Sequence, residues 1–218
     1  MFILFGRLNA DEGWYLYASK LVYLGMRPYQ DFAYTQTPFL PYIYGIPQIL
    51  MHGLYTGRIT SFILSFLGLI LSLAATHNLV GKRGLIVTAL LWGTFGYGIY
   101  FHSITKTYAL TTFLFVFTLY LLSHNSKNMI TISLITASVT LASLTRLSAF
   151  FFAIPILFYL FFSSNSKAKW VLLLTGLLGA FWLTWLAFPD PEIVFWNLLT
   201  HHTSQWEEFT LYLKIQNI

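Results

Sequence analysis

The sequence predicts an all-α, polytopic α-helical membrane protein with about six transmembrane helices and further interfacial helices in its first outer loop. Two observations carry most of this prediction. Of the 218 residues, 57% are hydrophobic and only 9% are charged, whereas a soluble domain has about a quarter of its residues charged. The apolar residues also form long runs between short polar breaks, and a membrane crossing needs about 20 apolar residues.

The third observation is that the polar breaks alternate between basic and acidic character. The short basic breaks are 81–84, 123–128 and 163–169. The other breaks hold all seven acidic residues, which are Asp11, Glu12, Asp31, Asp190, Glu192, Glu207 and Glu208. Because short cytoplasmic loops carry an excess of Lys and Arg, we expect every carboxylate on the extracytoplasmic face of the plasma membrane. The net charge of +5 then belongs mostly to loops that meet anionic lipid headgroups, and we expect no nucleic-acid partner.

The pattern divides the chain into three regions. Residues 1–53 form a first extracytoplasmic segment, 54–188 a transmembrane bundle, and 189–218 a second, truncated extracytoplasmic segment. The six predicted crossings are 54–79, 84–101, 105–122, 129–144, 147–162 and 170–188. The fourth and fifth could be two helices or one broken helix; we favour two, because one crossing would put the basic 163–169 loop outside. We also expect a longer protein, with a helix before residue 10 and a continuation after the last segment.

Asp11 and Glu12 are the first candidates for chemistry. They open a segment from Glu12 to Leu24 whose apolar residues recur at helical spacing, which suits a helix in the membrane interface. Adjacent carboxylates are favourable at the positive end of a helix dipole. Either they form a capping pair behind Asn9, or Asp11 is a general base that removes a proton from a nucleophilic hydroxyl.

Three cations are expected on the same side, at the level of a lipid phosphate: Arg58, Lys106 and Arg146. The alternative is that these long side chains snorkel to the headgroups. The adjacent histidines His201 and His202 are either a solvated loop pair, or one of them contacts a phosphate or a metal ion. In the metal case Asp31, Gln36 or Glu12 would complete the site. A divalent metal ion is therefore the one cofactor considered, with Asp31 and Gln36 as weak candidate ligands.

The order of these features resembles a known family. The run Asp11-Glu-Gly-Trp-Tyr-Leu-Tyr-Ala, then Gly25-Met-Arg-Pro-Tyr-Gln-Asp-Phe, then Thr37-Pro-Phe-Leu-Pro-Tyr resembles the first outer loop of the GT-C membrane glycosyltransferases. That family includes protein O-mannosyltransferases and the aminoarabinose transferase of lipid A. Three later elements also resemble it: Gly57-Arg-Ile-Thr-Ser, Lys106-Thr-Tyr-Ala-Leu and Leu144-Thr-Arg-Leu-Ser. The resemblance covers nearly the whole chain, but only about the N-terminal half of a usual member.

The resemblance implies transfer of a sugar from a polyprenyl-phosphate carrier to an acceptor hydroxyl of a lipid, glycan or protein, on the extracytoplasmic face. Asp11 would be the catalytic base, supported by Glu12. The substrate-binding and phosphate-binding residues that it implies are Arg58, Lys106, Tyr108, Arg146, His201 and His202. The alternatives are a transporter or flippase of lipid-linked sugars, another non-catalytic membrane protein, and an inactive truncated remnant.

Overall fold

The computed structural model describes residues 8–124, 128–163, 166–188 and 190–200. Within these residues the protein is built of helices and has no β-sheet, only an isolated bridge between Pro28 and Phe32. The helices are α1 (Ala10–Tyr23), α2 (Phe39–Leu50), α3 (Leu54–Val80), α4 (Lys82–Thr94), α5 (Gly96–Ser103), α6 (Thr107–Ser123), α7 (Met129–Thr145), α8 (Ala149–Ser163), α9 (Ser166–Ala187) and α10 (Pro191–Phe195), followed by a π-helical turn at Trp196–Thr200.

Two helices are long and apolar enough to cross a membrane. They are α3 and the Lys169–Leu186 part of α9, and α4 with α5 becomes a third if this bent pair is one crossing. The three helices α6, α7 and α8 are apolar but shorter, at 15 to 17 residues. The all-helical fold is therefore confirmed for the described residues, whereas six crossings stay a prediction.

The predicted second crossing, 84–101, is not one straight helix. It is broken at Phe95, where α4 and α5 meet at an angle of 69°. Gly93, Gly96 and Gly98 surround the break, and glycine is about 1 kcal/mol less favourable than alanine inside a helix. The prediction of one continuous crossing is therefore wrong here, and the glycine cluster explains why the helix divides at this point.

The choice of two helices on either side of Arg146 is confirmed. The α7 helix ends at Thr145, Arg146 is extended with φ −150°, and α8 begins at Ala149. The two helices fold back on each other, so that Ile135 and Val139 of α7 share a buried cluster with Ala153 and Leu160 of α8. Arg146 therefore lies at a tight turn at one end of the bundle.

The bundle has two chemically different ends. Its helices pack in the order α3, α6, α7, with α8 and α9 both against α7, while α1 and α2 pack on each other beside the start of α3. One end of the bundle is therefore the end where α1, α2 and the start of α3 lie, and the five described acidic residues all belong to segments at this end. At the other end, Asn78 near the end of α3 donates a hydrogen bond to Ser123 at the end of α6, and Lys82 begins α4.

The segment before α3 is held on the bundle by buried aromatic rings. Tyr34 is fully buried, and its ring stacks on Trp14 at 4.9 Å between centroids. Tyr15 and Tyr44 extend the same cluster, which continues into Leu110 of α6 and other residues of the bundle. Such aromatic pairs each add about 0.5–1.5 kcal/mol of stabilisation beyond that of their buried area. They therefore stabilise the packing of α1, where Asp11 and Glu12 lie, against the bundle.

Candidate functional site

Asn9 caps the N-terminus of α1. Its Oδ1 accepts from the Asp11 backbone N–H at 3.1 Å, and Glu12 Oε2 accepts from the Asn9 backbone N–H at 3.2 Å. This reciprocal arrangement is a capping box, which satisfies backbone donors that have no partner inside the helix. The capping interpretation is thus confirmed for Asn9 and Glu12, and it leaves the Asp11 side chain unused by the cap.

Glu12 is also half of a buried ion pair. Arg58, in the second turn of α3, donates from Nε to Oε1 at 2.9 Å and from Nη2 to Oε2 at 2.7 Å. The Thr105 backbone N–H donates to Oε1 at 3.1 Å, and both charged side chains are 1% exposed. Burial by itself raises the pKa of Glu12, but the hydrogen bonds from Arg58, Thr105 and Asn9 together outweigh it, so the pKa lies below its usual value.

This geometry corrects the expectation that Arg58 holds a phosphate. A guanidinium that is 1% exposed and bound to a carboxylate through two nitrogens cannot reach a ligand at the surface. Glu12 is equally occupied, since its two oxygens accept four hydrogen bonds, about the capacity of a carboxylate. The pair instead ties α1, α3 and the connection between α5 and α6 to one another.

The connection between α5 and α6 is fixed from a second side as well. Ser61 Oγ donates to the Ile104 carbonyl oxygen at 2.8 Å. A hydroxyl has one hydrogen, so at the 2.9 Å contact with Tyr44 the tyrosine is the donor. Ile104 and Thr105 are therefore both held, and the next residue, Lys106, has its backbone position determined by buried contacts.

Lys106 forms an ion pair with Asp11. The distance from Nζ to Oδ2 is 2.5 Å, and the two side chains are 14% and 53% exposed. The ammonium also lies 5.5 Å from the centre of the Phe101 ring. The site therefore presents an accessible carboxylate beside a cation that is mostly enclosed by protein.

Arg146 completes this end of the bundle. Its guanidinium lies 4.3 Å from the centre of the Tyr108 ring, and its Nε donates to Ser148 Oγ at 2.8 Å. The Tyr108 ring in turn contacts the Phe101 ring, with centroids 4.8 Å apart. The Phe101 ring thus connects the ion pair of Asp11 and Lys106 to Tyr108 and Arg146. We call these four residues, Asp11, Lys106, Tyr108 and Arg146, the outer cluster.

Tyr15 lies close enough to both Asp11 and Arg146 for each charge to affect its pKa. Burial raises the pKa of its phenol, the Asp11 carboxylate raises it further, and the Arg146 guanidinium lowers it, with a net increase. Tyr15 therefore keeps its proton at neutral pH. In this form the phenol can donate a hydrogen bond.

A groove of about 550 Å³ runs from Arg146 along α6 and α8. Near the outer cluster its wall is polar, with Thr111, Thr112 and Ser148. The buried Oγ1 of Thr111 has no hydrogen-bond partner among the described residues. Further along, the wall is apolar, with Phe115, Leu119, Phe152 and Ile156. A molecule with an anionic head and a hydrocarbon tail matches this arrangement.

The proposed metal ligands are not brought to the outer cluster. Asp31 Oδ2 accepts from the Arg27 backbone N–H at 2.6 Å, and the Gln36 carbonyl oxygen accepts from the Tyr29 hydroxyl at 2.6 Å. Both contacts close the loop between α1 and α2. Among the described residues, no three His, Asp or Glu side chains come close enough to hold a metal ion. His201 and His202 lie outside the described residues.

The pairing of Glu12 with Arg58 and the α6–α8 groove were not predicted from the sequence. The two charges are 46 positions apart, and no spacing rule connects them. The available signal was that an arginine inside an apolar run is usually paired. Comparisons with protein-family models, curated proteins and solved structures find no match.

Proposed function

We propose that this chain is all or part of an integral membrane glycosyltransferase of the GT-C type. It would transfer a sugar from a polyprenyl-phosphate-linked donor to an acceptor hydroxyl, on the extracytoplasmic face of the plasma membrane. The observation that carries the proposal is the accessible Asp11 carboxylate beside Lys106, in contact through Phe101 and Tyr108 with Arg146 at the polar end of the α6–α8 groove. The family resemblance of the sequence motifs supports it.

Asp11 would act as the general base. The acceptor hydroxyl gives its proton to the carboxylate while its oxygen forms a bond to the anomeric carbon of the sugar. The bond from that carbon to the phosphate oxygen breaks, and the polyprenyl phosphate leaves with the electron pair. A positioned base contributes about 10²- to 10⁴-fold to such a step.

Lys106 and Arg146 would stabilise the departing phosphate. Charge develops on the leaving oxygen, and fixed cations at that position lower the barrier. Lys106 pairs with Asp11 in this structure, but an ammonium has three N–H donors, so it can hold the carboxylate and a phosphate oxygen together. Arg146 offers a planar guanidinium suited to paired phosphate oxygens.

The groove would receive the polyprenyl chain of the donor. Its apolar stretch, from Phe115 and Phe152 onward, lies beyond Arg146 along α6 and α8. With the phosphate at Arg146, the first isoprene units would lie against these rings. The apolar helices α6 and α8 would then separate the donor chain from the rest of the bundle.

The charges of the two ends support the proposed outward orientation of the site. Lys82 and Arg83 lie at the end opposite the outer cluster, where the positive-inside rule places the cytoplasm. A transporter would need a polar path through the bundle. The described hydroxyls of Ser133, Ser138 and Ser143 in α7 donate to carbonyls four residues earlier in the same helix, so they do not favour that alternative.

The proposal is tested by donor turnover in vesicles that contain the purified chain. Polyprenyl-phosphate donors that carry a labelled hexose or pentose are supplied one at a time, together with membrane extract as the acceptor source. The measured quantities are released polyprenyl phosphate and label transferred to the extract. We expect release with the unmodified chain and a loss of at least about 100-fold in Asp11→Asn.

The matched control is Lys82→Gln, an exposed charge at the opposite end of the bundle. We expect it to turn over donor at the unmodified rate. Release that is undiminished in Asp11→Asn contradicts the assignment of the base. Movement of intact donor across the vesicle membrane, without release, favours a flippase, and donor binding without either process indicates an inactive remnant.

A further inference from the structure

The break between α4 and α5 opens a second pocket, separate from the groove of the outer cluster. It has a volume of about 260 Å³ and is lined by Leu91, Trp92, Phe95, Gly98, Ile99 and His102. All of these residues except His102 are apolar, small or aromatic. Two of these side chains carry polar groups, the indole N–H of Trp92 and the imidazole of His102, and only the imidazole can accept a hydrogen bond.

The hydrogen bonds of Ser65 determine which nitrogen of His102 carries the proton. Ser65 Oγ donates to the His102 carbonyl oxygen at 2.9 Å, since a carbonyl can only accept. The hydroxyl has no second hydrogen, so at its 3.2 Å contact with Nδ1 it must accept. Nδ1 therefore holds the proton in a neutral imidazole, and Nε2 carries a free lone pair.

Nε2 is the nitrogen that remains for the pocket. Nδ1 contacts Ser65 of α3, and His102 is one of the residues that line the pocket. Among the described residues Nε2 has no hydrogen-bond partner, and it is not one of the fully buried side-chain atoms that lack a partner. Apart from the Trp92 indole N–H, the other lining side chains are apolar. An acceptor in such a wall is matched by a ligand that is mostly apolar and donates one hydrogen bond.

We propose that this pocket binds a membrane-dissolved lipid alcohol. Its hydroxyl donates to His102 Nε2, and its hydrocarbon body lies against Trp92 and Phe95. A hydroxyl is favoured over an ammonium because no described carboxylate lines the pocket. It is favoured over a carboxylate or phosphate because an anion has no proton to donate to Nε2. This proposal does not depend on the transferase activity.

The test compares two probes that differ in one hydrogen-bond donor. A short brominated fatty alcohol and its methyl ether are titrated into the purified chain in a phosphocholine detergent, which has no hydroxyl groups. Bromine quenches tryptophan fluorescence, and Trp92 lines the pocket with its ring 5.4 Å from that of His102. The saturable quenching that disappears in Trp92→Phe reports occupancy of this pocket.

We expect the alcohol to bind about five- to tenfold more tightly than the ether, the usual effect of one hydrogen bond. In His102→Leu the two probes should bind equally, whereas His102→Gln, which keeps an acceptor, should retain part of the difference. Equal binding of the two probes to the unmodified chain would overturn the proposal without reference to any variant. Saturable quenching that persists in Trp92→Phe would overturn it as well.

Discussion

Replacing Arg58 by methionine should strongly destabilise the protein and disorganise the outer cluster. The substitution keeps an unbranched chain out to the position of Nε, but it removes the rest of the guanidinium with both hydrogen bonds and the charge opposite Glu12. The carboxylate would then be buried with only the backbone donors of Asn9 and Thr105. Loss of one partner from a buried pair costs about 3–5 kcal/mol, and we expect Arg58→Met to fall in this range.

The destabilisation should depend on pH, with a sign that the structure determines. In the unmodified chain the pKa of Glu12 is lowered. The stabilisation from the Glu12 carboxylate is therefore complete above the ordinary glutamate pKa of about 4.3. It is lost as the pH falls through the lowered pKa of the folded protein. In Arg58→Met the strongest remaining influence is burial, which raises the pKa, so protonation stabilises the variant. The difference between the two proteins should therefore be largest at neutral pH and shrink toward about pH 4.

The assay is unfolding by sodium dodecyl sulfate in mixed micelles, followed by tryptophan fluorescence at several pH values. Arg83→Met is the matched control, because it removes an exposed arginine at the opposite end of the bundle, and it should change the free energy of unfolding by less than about 0.5 kcal/mol. The double variant Glu12→Gln with Arg58→Met should recover part of the loss, since no unpaired charge stays buried. A change below about 1 kcal/mol in Arg58→Met, or one that is constant with pH, would refute this reasoning.

Three further predictions concern the outer cluster and its support. Lys106→Met should reduce donor turnover by at least about tenfold, through loss of a charge opposite the leaving phosphate, in the same vesicle assay; an unchanged rate would place the phosphate elsewhere. Arg146→Gln should weaken binding of polyprenyl phosphate about tenfold and leave binding of the uncharged polyprenol unchanged, as measured by competition with labelled donor. Equal losses for both ligands would mean that the groove itself has collapsed. Gly57→Ala should destabilise the chain by about 1–3 kcal/mol, because a new Cβ would lie 2.6 Å from Leu16 Cδ2 and against the buried Thr105 hydroxyl. The control is Gly13→Ala, whose new Cβ meets nothing within 4 Å. In the same unfolding measurement this control should be neutral or slightly stabilising.

The helices could be located from the sequence because lipid-facing segments have a simple composition. The interfacial helix was predicted from Glu12 and is observed from Ala10, and its Asn9 cap was among the stated alternatives. Two helices on either side of Arg146 were also predicted, because a single crossing would put the basic 163–169 loop outside. These features depend on residues near one another in the chain, where spacing rules apply.

The features that could not be predicted depend on contacts between distant residues. Glu12 and Arg58 were assigned to separate roles, as supporting carboxylate and phosphate ligand, and only the packing of α1 against α3 shows that they bind each other. The bend at Phe95 was missed because glycines in an apolar run also occur at straight helix-packing sites. The role of His102 depends on Ser65, 37 positions away, and no pattern in the sequence connects them.

The proposed site requires the acidic and basic ends of the bundle to lie on opposite sides of a membrane. The sequence contains no cysteine, so Asp11→Cys and Lys82→Cys each introduce a single thiol at an exposed position. The measurement is labelling of these variants in intact cells with a membrane-impermeant maleimide, before and after permeabilisation. We predict that the cysteine at position 11 is labelled in intact cells and the cysteine at position 82 only after permeabilisation; labelling of both from the same side would contradict the proposed site.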